Sequence, residues 1–123
     1  MTIRKLSLPA LLCASIAGTA SASEGPSPAV PATAKIRLAH LLSNEDYPAA
    51  ARAAGEQGLV EFSLDVGPEG RVTGCTITRS SGSAMLDSTT CRLMRSRARF
   101  TPAIDAGGAA VEDKVDGRIA WRL

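Results

Sequence analysis

The sequence is poor in aromatic residues and in histidine. Aromatic residues make up 3% of its 123 residues, and His40 is the single histidine. Proteins that stack on single-stranded nucleic acid use several aromatic side chains. A zinc site or a histidine-activated nucleophile needs histidine partners that this chain does not offer. No acid-base or nucleophile set can be assembled, so the sequence predicts neither an enzyme nor a metal or cofactor site.

The chain also lacks an apolar run long enough to span a bilayer, which takes roughly 20 residues. The apolar run near the N-terminus, "LSLPALLCASIAG", is shorter and contains Pro9. Together with the cationic start "MTIRK" and the A-x-A pattern at residues 20–22, it predicts a cleavable signal peptide over residues 1–22. Two alternatives are an uncleaved membrane anchor and a lipid on Cys13, although the preceding Leu12 is larger than lipoprotein signals favour.

Excess charge of one sign is absent once the predicted signal peptide is removed. Cleavage takes away Arg4 and Lys5, which leaves 12 basic and 12 acidic residues. Four arginines crowd one later segment: Arg92, Arg95, Arg97 and Arg99. Without a retained basic excess and without aromatic neighbours, they indicate a solvated helix face, and nucleic acid is not expected as a partner.

Cysteine is scarce, and two of the three cysteines lie in the exported part of the chain. Cleavage would remove Cys13 and leave Cys75 and Cys91, sixteen positions apart. In an oxidising compartment such a pair favours a disulfide. Free thiols are one alternative, and a metal or catalytic role is a weaker one because no further ligand or histidine partner lies at a suitable spacing.

Residues 23–42 are rich in proline and alanine, and they predict a tether. Fully extended at about 3.1 Å per residue, it would reach roughly 60 Å. Its second half, "AKIRLAHLL", has apolar content without a clean period. This part is either a short docking segment or more linker.

Residues 43–123 predict one small α+β domain. A short helix with Pro48 at its start and Gly55 at its end precedes "GLVEFSLDV", whose strict alternation predicts a half-buried strand. A turn and a β-branched run follow. Val72 and Ile77 are five positions apart and would lie on opposite faces of a regular strand, so a bulge is predicted near Gly74. A helix capped by Ser83 should run to about Arg99, and a final alternating strand follows it.

The predicted order of helix, strand, strand, helix and strand gives a two-layer fold. A three-stranded antiparallel sheet, in the order 2-1-3, carries both helices, and the C-terminal strand lies at an edge. Cys91 would then face the sheet near Cys75. Such a crosslink closes a loop that could contribute about 3 kcal/mol to stability.

Several segments, taken in order, resemble the C-terminal domain of TonB, the energy-transducing protein of Gram-negative bacteria. These are "DYPAAARAAGEQGLVEFSLDVGPEGRV", "SSGSAMLD", "ARFTPA" and "RIAWRL". The resemblance covers about two-thirds of the chain and implies the same fold. It also implies a binding role in the periplasm, in which the domain meets the Ton box of an outer-membrane receptor and pairs with it by β-augmentation.

Carried over by position, the resemblance implies a partner-binding strand over residues 113–123. The side chains expected to select the partner are Lys114, Asp116, Arg118, Ala120 and Arg122. Asn44 and Tyr47, just ahead of the first helix, are a second possible contact. Parity places Val115 and Trp121 in the core, and Tyr47 can equally be a packed aromatic.

Three interpretations of function follow. The first is an exported periplasmic domain that binds a TonB-dependent receptor or another envelope protein. The second keeps the N-terminus uncleaved and makes the chain a minimal energy transducer anchored in the inner membrane. The third is a structural or scaffolding module that forms a homodimer, because an exposed edge strand can pair with its own copy.

Overall fold

A computed structural model describes residues 27–123. The predicted signal peptide and the first part of the predicted tether lie outside the described residues. In chain order the elements are β1 (Thr33–Ala34), 3-10 turns at Leu38–Leu41 and Asn44–Asp46, α1 (Ala49–Ala53), β2 (Gly58–Val66), β3 (Val72–Arg79), α2 (Ala84–Arg97), β4 (Phe100–Thr101), β5 (Ala103–Ile104), β6 (Ala110–Val111) and β7 (Asp113–Trp121). No helix among these residues is long and apolar enough to cross a membrane.

The main sheet has three antiparallel strands in the order β3-β2-β7, which confirms the predicted order and the α+β class. β2 is central because it pairs with β3 on one side and with β7 on the other. Its alternation buries one side chain in two: Val60, Phe62, Leu64 and Val66 are at most 1% exposed. β7 pairs with β2 in unbroken register from Gly58↔Trp121 to Val66↔Asp113. The apolar side chains of the two strands therefore share one face of the sheet.

β3 follows β2 less regularly. Its register shifts opposite Asp65 and Val66, which confirms the predicted bulge, and shifts again opposite Glu61 and Phe62. Between the shifts, Cys75 pairs with Leu64 and Ile77 pairs with Phe62, so both lie on the core face. The first bulge thus places Val72 and Ile77 on the same face of the sheet although they are five positions apart.

Each helix begins where its sequence predicts. Pro48 precedes α1, and Gly55 follows it with φ 69°, a conformation that glycine adopts without a steric penalty. At the start of α2 the Ser83 hydroxyl accepts a hydrogen bond from the Leu86 amide (3.2 Å). α2 ends at Arg97, earlier than predicted, because the Phe100 amide donates to the Gly70 carbonyl and the chain is already extended there.

The core lies between the sheet and the helices. The T-shaped contact of Tyr47 with Trp121, with ring centroids 5.3 Å apart, closes it near the C-terminus. The Trp121 indole donates to the Thr90 hydroxyl (2.8 Å), which donates to the Leu86 carbonyl (2.8 Å). Trp121 is 4% exposed, which confirms its prediction as a core residue. Because both polar groups are satisfied, the tryptophan is buried without a desolvation penalty.

Residues 30–42 of the predicted tether are packed on the domain; this segment is called the strap below. Val30 pairs with Ile104, and β1 pairs with β4 through Thr33↔Thr101 and Ala34↔Phe100. Its partly buried apolar residues, which pack against the core, are Ala32, Ala34, Leu38, Leu41 and Leu42. The extended chain expected from composition is therefore used here for backbone pairing, and the leucines hold it in place.

Arg97, at the end of α2, contacts both the strap and the turn that follows it. Arg97 binds both carboxylate oxygens of Asp46 (2.7 Å each) and also donates to the Leu41 carbonyl (2.8 Å). The hydrogen bond from Arg97, joined by one from the Ser43 amide, holds the pKa of Asp46 well below its usual range. Arg97 therefore has a structural role, which distinguishes it from the other arginines of its segment.

Candidate partner-binding edge

β7 forms one edge of the main sheet. All nine of its residues pair with β2, and within residues 27–123 no backbone hydrogen bond reaches its other side. A strand with one unpaired side presents alternating N–H and C=O groups to any further extended chain. The chemistry available at this edge is therefore main-chain hydrogen bonding.

The side chains of β7 alternate as the sequence predicts. Lys114, Asp116, Arg118 and Ala120 are exposed on the face away from the core, and Arg122 is exposed just beyond the end of the strand. The Lys114 ammonium lies 2.8 Å from an Asp65 carboxylate oxygen. That hydrogen bond raises the pKa of Lys114. Three cations and one carboxylate thus follow the edge.

β3 forms the opposite edge, and it differs from β7 in regularity. Its two register shifts interrupt the pleat, whereas β7 has none. Bulges twist an edge and break the even spacing that an added strand would need. Of the two edges, β7 is the one that offers a regular template.

A shallow groove opens on the face of the main sheet and extends from β3 across β2 to the middle of β7. Its volume is about 500 Å³, and its lining residues are Glu61, Phe62, Thr78, Asp116, Gly117 and Arg118. Gly117 was not singled out in the sequence, although a glycine inside a strand pattern signals close approach of another group. A Cβ at this position would lie 2.8 Å from Leu38 Cδ1 and from the Phe62 ring. The missing side chain lets the strap pack against the sheet.

The second predicted contact divides into a buried and an exposed residue. Tyr47 is 7% exposed, its hydroxyl donates to the Glu56 carbonyl, and the guanidinium of Arg52 lies 5.1 Å from its ring centroid. Asn44 is exposed, and its backbone carbonyl oxygen accepts a hydrogen bond from Arg52 Nη2 (2.7 Å). Tyr47 is thus a packed aromatic beside the end of β7, and a partner role for Asn44 and Tyr47 stays a prediction.

The two cysteines form a disulfide, as predicted. Cys75 of β3 and Cys91 of α2 are bonded, with their Cα atoms 5.7 Å apart. The bond ties α2 to β3, the strand at the edge opposite β7. Within the described residues, no three His, Cys, Asp or Glu side chains lie close enough together to hold a metal ion.

Comparison with known proteins agrees with this fold. Residues 43–123 match the family described as Gram-negative bacterial TonB protein C-terminal. The chain belongs to this family. The solution NMR structure of the Pseudomonas aeruginosa TonB C-terminal domain is similar, at 25% identity and a TM-score of 0.50, over 63% of this chain and 76% of that one. The search of curated proteins found no match.

The TonB C-terminal family is a non-enzymatic, transport-associated family of the cell envelope. Its members interact with envelope proteins. Because the match extends from residue 43 to residue 123, the TonB C-terminal domain of this chain includes β2, β3, α2 and β7. The strap precedes the matched region.

Proposed function

We propose that this TonB C-terminal domain works in the periplasm and binds an extended, Ton-box-like segment of an outer-membrane receptor by β-augmentation. The segment adds to the side of β7 that faces away from β2, and the binding serves TonB-dependent transport. The observation that carries the proposal is the regular, nine-residue strand with one unpaired side. Main-chain hydrogen bonds of an added strand supply affinity, and alternate side chains supply specificity.

The side chains along β7 indicate the chemistry of the segment. Lys114 is already engaged by Asp65. Arg118 takes part in neither of the two ion pairs found among residues 27–123, although Glu61 of β2 lies opposite it in the sheet. Arg118 also lines the groove beside Gly117. A receptor segment with an acidic side chain at the position facing Arg118 therefore fits this edge better than a basic one, because opposite charges on neighbouring strands attract.

Amide hydrogen exchange followed by NMR tests the proposal. The probe is a synthetic peptide that spans the periplasmic N-terminal segment of a TonB-dependent receptor. On binding, the amides of β7 that point away from β2 should become protected at every second residue. The amides of β3 that point outward serve as the matched control and should exchange at an unchanged rate.

N-methylation of the peptide separates strand pairing from side-chain binding. Each methylated amide loses one donor worth about 1 kcal/mol. Methylating two amides that face β7 should therefore weaken binding at least tenfold, whereas methylating two that face away should change it less than twofold. Protection at β3 in place of β7, or equal affinity for both peptides, would contradict the proposal.

The same samples address self-pairing. If two copies of this chain pair through β7, the outward amides are protected before any peptide is added. Light scattering across a concentration series would then report a dimer that the peptide dissociates.

A further inference from the structure

Three basic residues form a row across the small β-structure at the end of the main sheet. The Lys35 amide donates to the Arg99 carbonyl (2.9 Å), next to the Ala34↔Phe100 pair, and Arg71 forms an antiparallel bridge with Arg99. Residues that pair across neighbouring strands project their side chains to the same side, about 5 Å apart. Lys35, Arg99 and Arg71 are called the cationic row below.

The row faces away from the core. Phe100, which follows Arg99 in the extended chain, is buried at 1% exposure, so Arg99 projects to the other side. Lys35 and Arg71 are exposed, and Arg99 is half-buried. The three side chains therefore lie on one outward side, where the Arg99 guanidinium also donates to the Ala98 carbonyl (2.8 Å).

No carboxylate neutralises the row within residues 27–123. The two ion pairs there are those of Arg97 with Asp46 and Lys114 with Asp65. The nearby Glu69 folds its carboxylate back over Gly67. Like charges directly opposite each other destabilise a sheet, so this arrangement carries a cost to folding that an anionic partner would offset.

Apolar side chains flank the charge on the strap. Ile36, directly after Lys35, is 57% exposed, and Val30 is 54% exposed. Arg37 follows Ile36 and is exposed as well. Ile36, an exposed aliphatic side chain between two cations, suits the boundary between lipid headgroups and acyl chains, whereas a small dissolved anion would gain nothing from it.

We propose that the cationic row and the exposed side chains of the strap bind an anionic phospholipid surface. Removal of each cation should weaken binding to such a surface about fivefold. The electrostatic attraction falls off within a Debye length. None of the row belongs to β7, so this surface is distinct from the edge proposed for the receptor, and neither proposal depends on the other. Lipid contact would hold the domain close to a membrane while β7 stays available.

Vesicle co-sedimentation tests the proposal with the protein as isolated from the cell envelope. The probes are vesicles of phosphatidylcholine alone and vesicles that contain phosphatidylglycerol. Binding should be at least tenfold tighter to the anionic vesicles and should be lost in 0.5 M salt, where the Debye length is about 4 Å. A retained apolar N-terminus would bind both kinds of vesicle equally, so equal binding overturns the proposal.

Arg71, which directly precedes β3, and Arg79, the last residue of β3, give a matched pair of variants. Arg71→Glu should weaken binding to anionic vesicles at least tenfold, because it changes the row by two charges. Arg79→Glu makes the same change of net charge outside the row and should alter binding less than twofold. Equal losses would show that net charge alone acts, and the proposed surface would be wrong.

Two further measurements separate the proposal from misfolding and from binding of a small anion. Arg71→Glu places a carboxylate opposite Arg99, so its unfolding temperature should not fall even though vesicle binding does. An excess of soluble glycerol phosphate should leave vesicle binding unchanged. Full competition by glycerol phosphate would identify a small-anion site and contradict the lipid proposal.

Discussion

Gly117 shows how one missing side chain controls the contact between the strap and the sheet. Any Cβ there would meet Leu38 on one side and the Phe62 ring on the other. Phe62 is 1% exposed and is fixed by the surrounding core. Because the Phe62 ring is buried in the core, a larger residue at position 117 must move the sheet or the strap.

Gly117→Ala is therefore expected to destabilise the domain by about 1–2 kcal/mol, since overpacking exceeds the gain from a stiffer unfolded chain. Urea denaturation measures the change. Gly107→Ala is the matched control, because the added Cβ there meets only Asp105 Oδ1, at 3.4 Å. The control should stay within about 0.5 kcal/mol of the parent. Equal effects of the two substitutions would contradict this account.

Asp46 gives the stability of the domain a dependence on pH. Its pKa is depressed in the folded chain, mainly by the hydrogen bond from Arg97. In the unfolded chain an aspartate titrates near pH 3.9, so its contribution is complete above about pH 5 and declines as the pH falls below that value. The ionised carboxylate therefore stabilises the fold at neutral pH and less so in acid.

Asp46→Asn should consequently lower the unfolding free energy at pH 7 by more than it does at pH 3. Urea denaturation of both proteins at the two pH values gives the comparison. Glu45→Gln serves as the control, because Glu45 takes part in neither ion pair of the described residues. A difference between parent and Asp46→Asn that is as large at pH 3 as at pH 7 would contradict the assignment.

At the scale of elements, the main sheet could be predicted because local patterns determine it. The alternation in β2 placed Val60 and Phe62 in the core, and the spacing of Val72 and Ile77 required the bulge that β3 contains. The parity of β7 also identified its exposed side chains. The edge could be placed from the sequence because the order of the elements left one arrangement with short, uncrossed connections.

The strap could not be predicted in the same way. Apolar residues do not recur at a regular spacing along the strap. Residues 30–35 pair with residues 99–104 through backbone groups, and such pairing leaves no pattern in the side chains. The end of α2 was missed for a related reason, because the bond from Phe100 to Gly70 joins positions about thirty residues apart. Contacts over such distances depend on the assembled fold, whereas single-sequence patterns report local structure.

At the scale of the whole molecule, the strap is part of the folded domain although it precedes the family match. Leu38, Leu41 and Leu42 pack against the core from outside residues 43–123. Each half-buried leucine contributes about 1 kcal/mol. Removing the strap should also expose the core face of the sheet beside Gly117.

A chain that begins at Ser43 is therefore expected to be less stable than one that begins at Ser27, by about 3 kcal/mol. Urea denaturation of the two chains provides the test. The control replaces Lys35 and Arg37 with glutamine in the longer chain, which keeps the leucines and should change stability by less than about 0.5 kcal/mol. Equal stability of the two chains would show that the strap is only a surface attachment.

The position of the strap also determines how the domain would respond to mechanical tension. Pulling on the chain ahead of Ser27 would load the pair of Val30 with Ile104 before any residue of the main sheet. Release of residues 30–42 would lengthen the chain by roughly 40 Å, at about 3.3 Å for each extended residue. The strap would then detach before the strand pair β2-β7 separates, because fewer backbone pairs hold it.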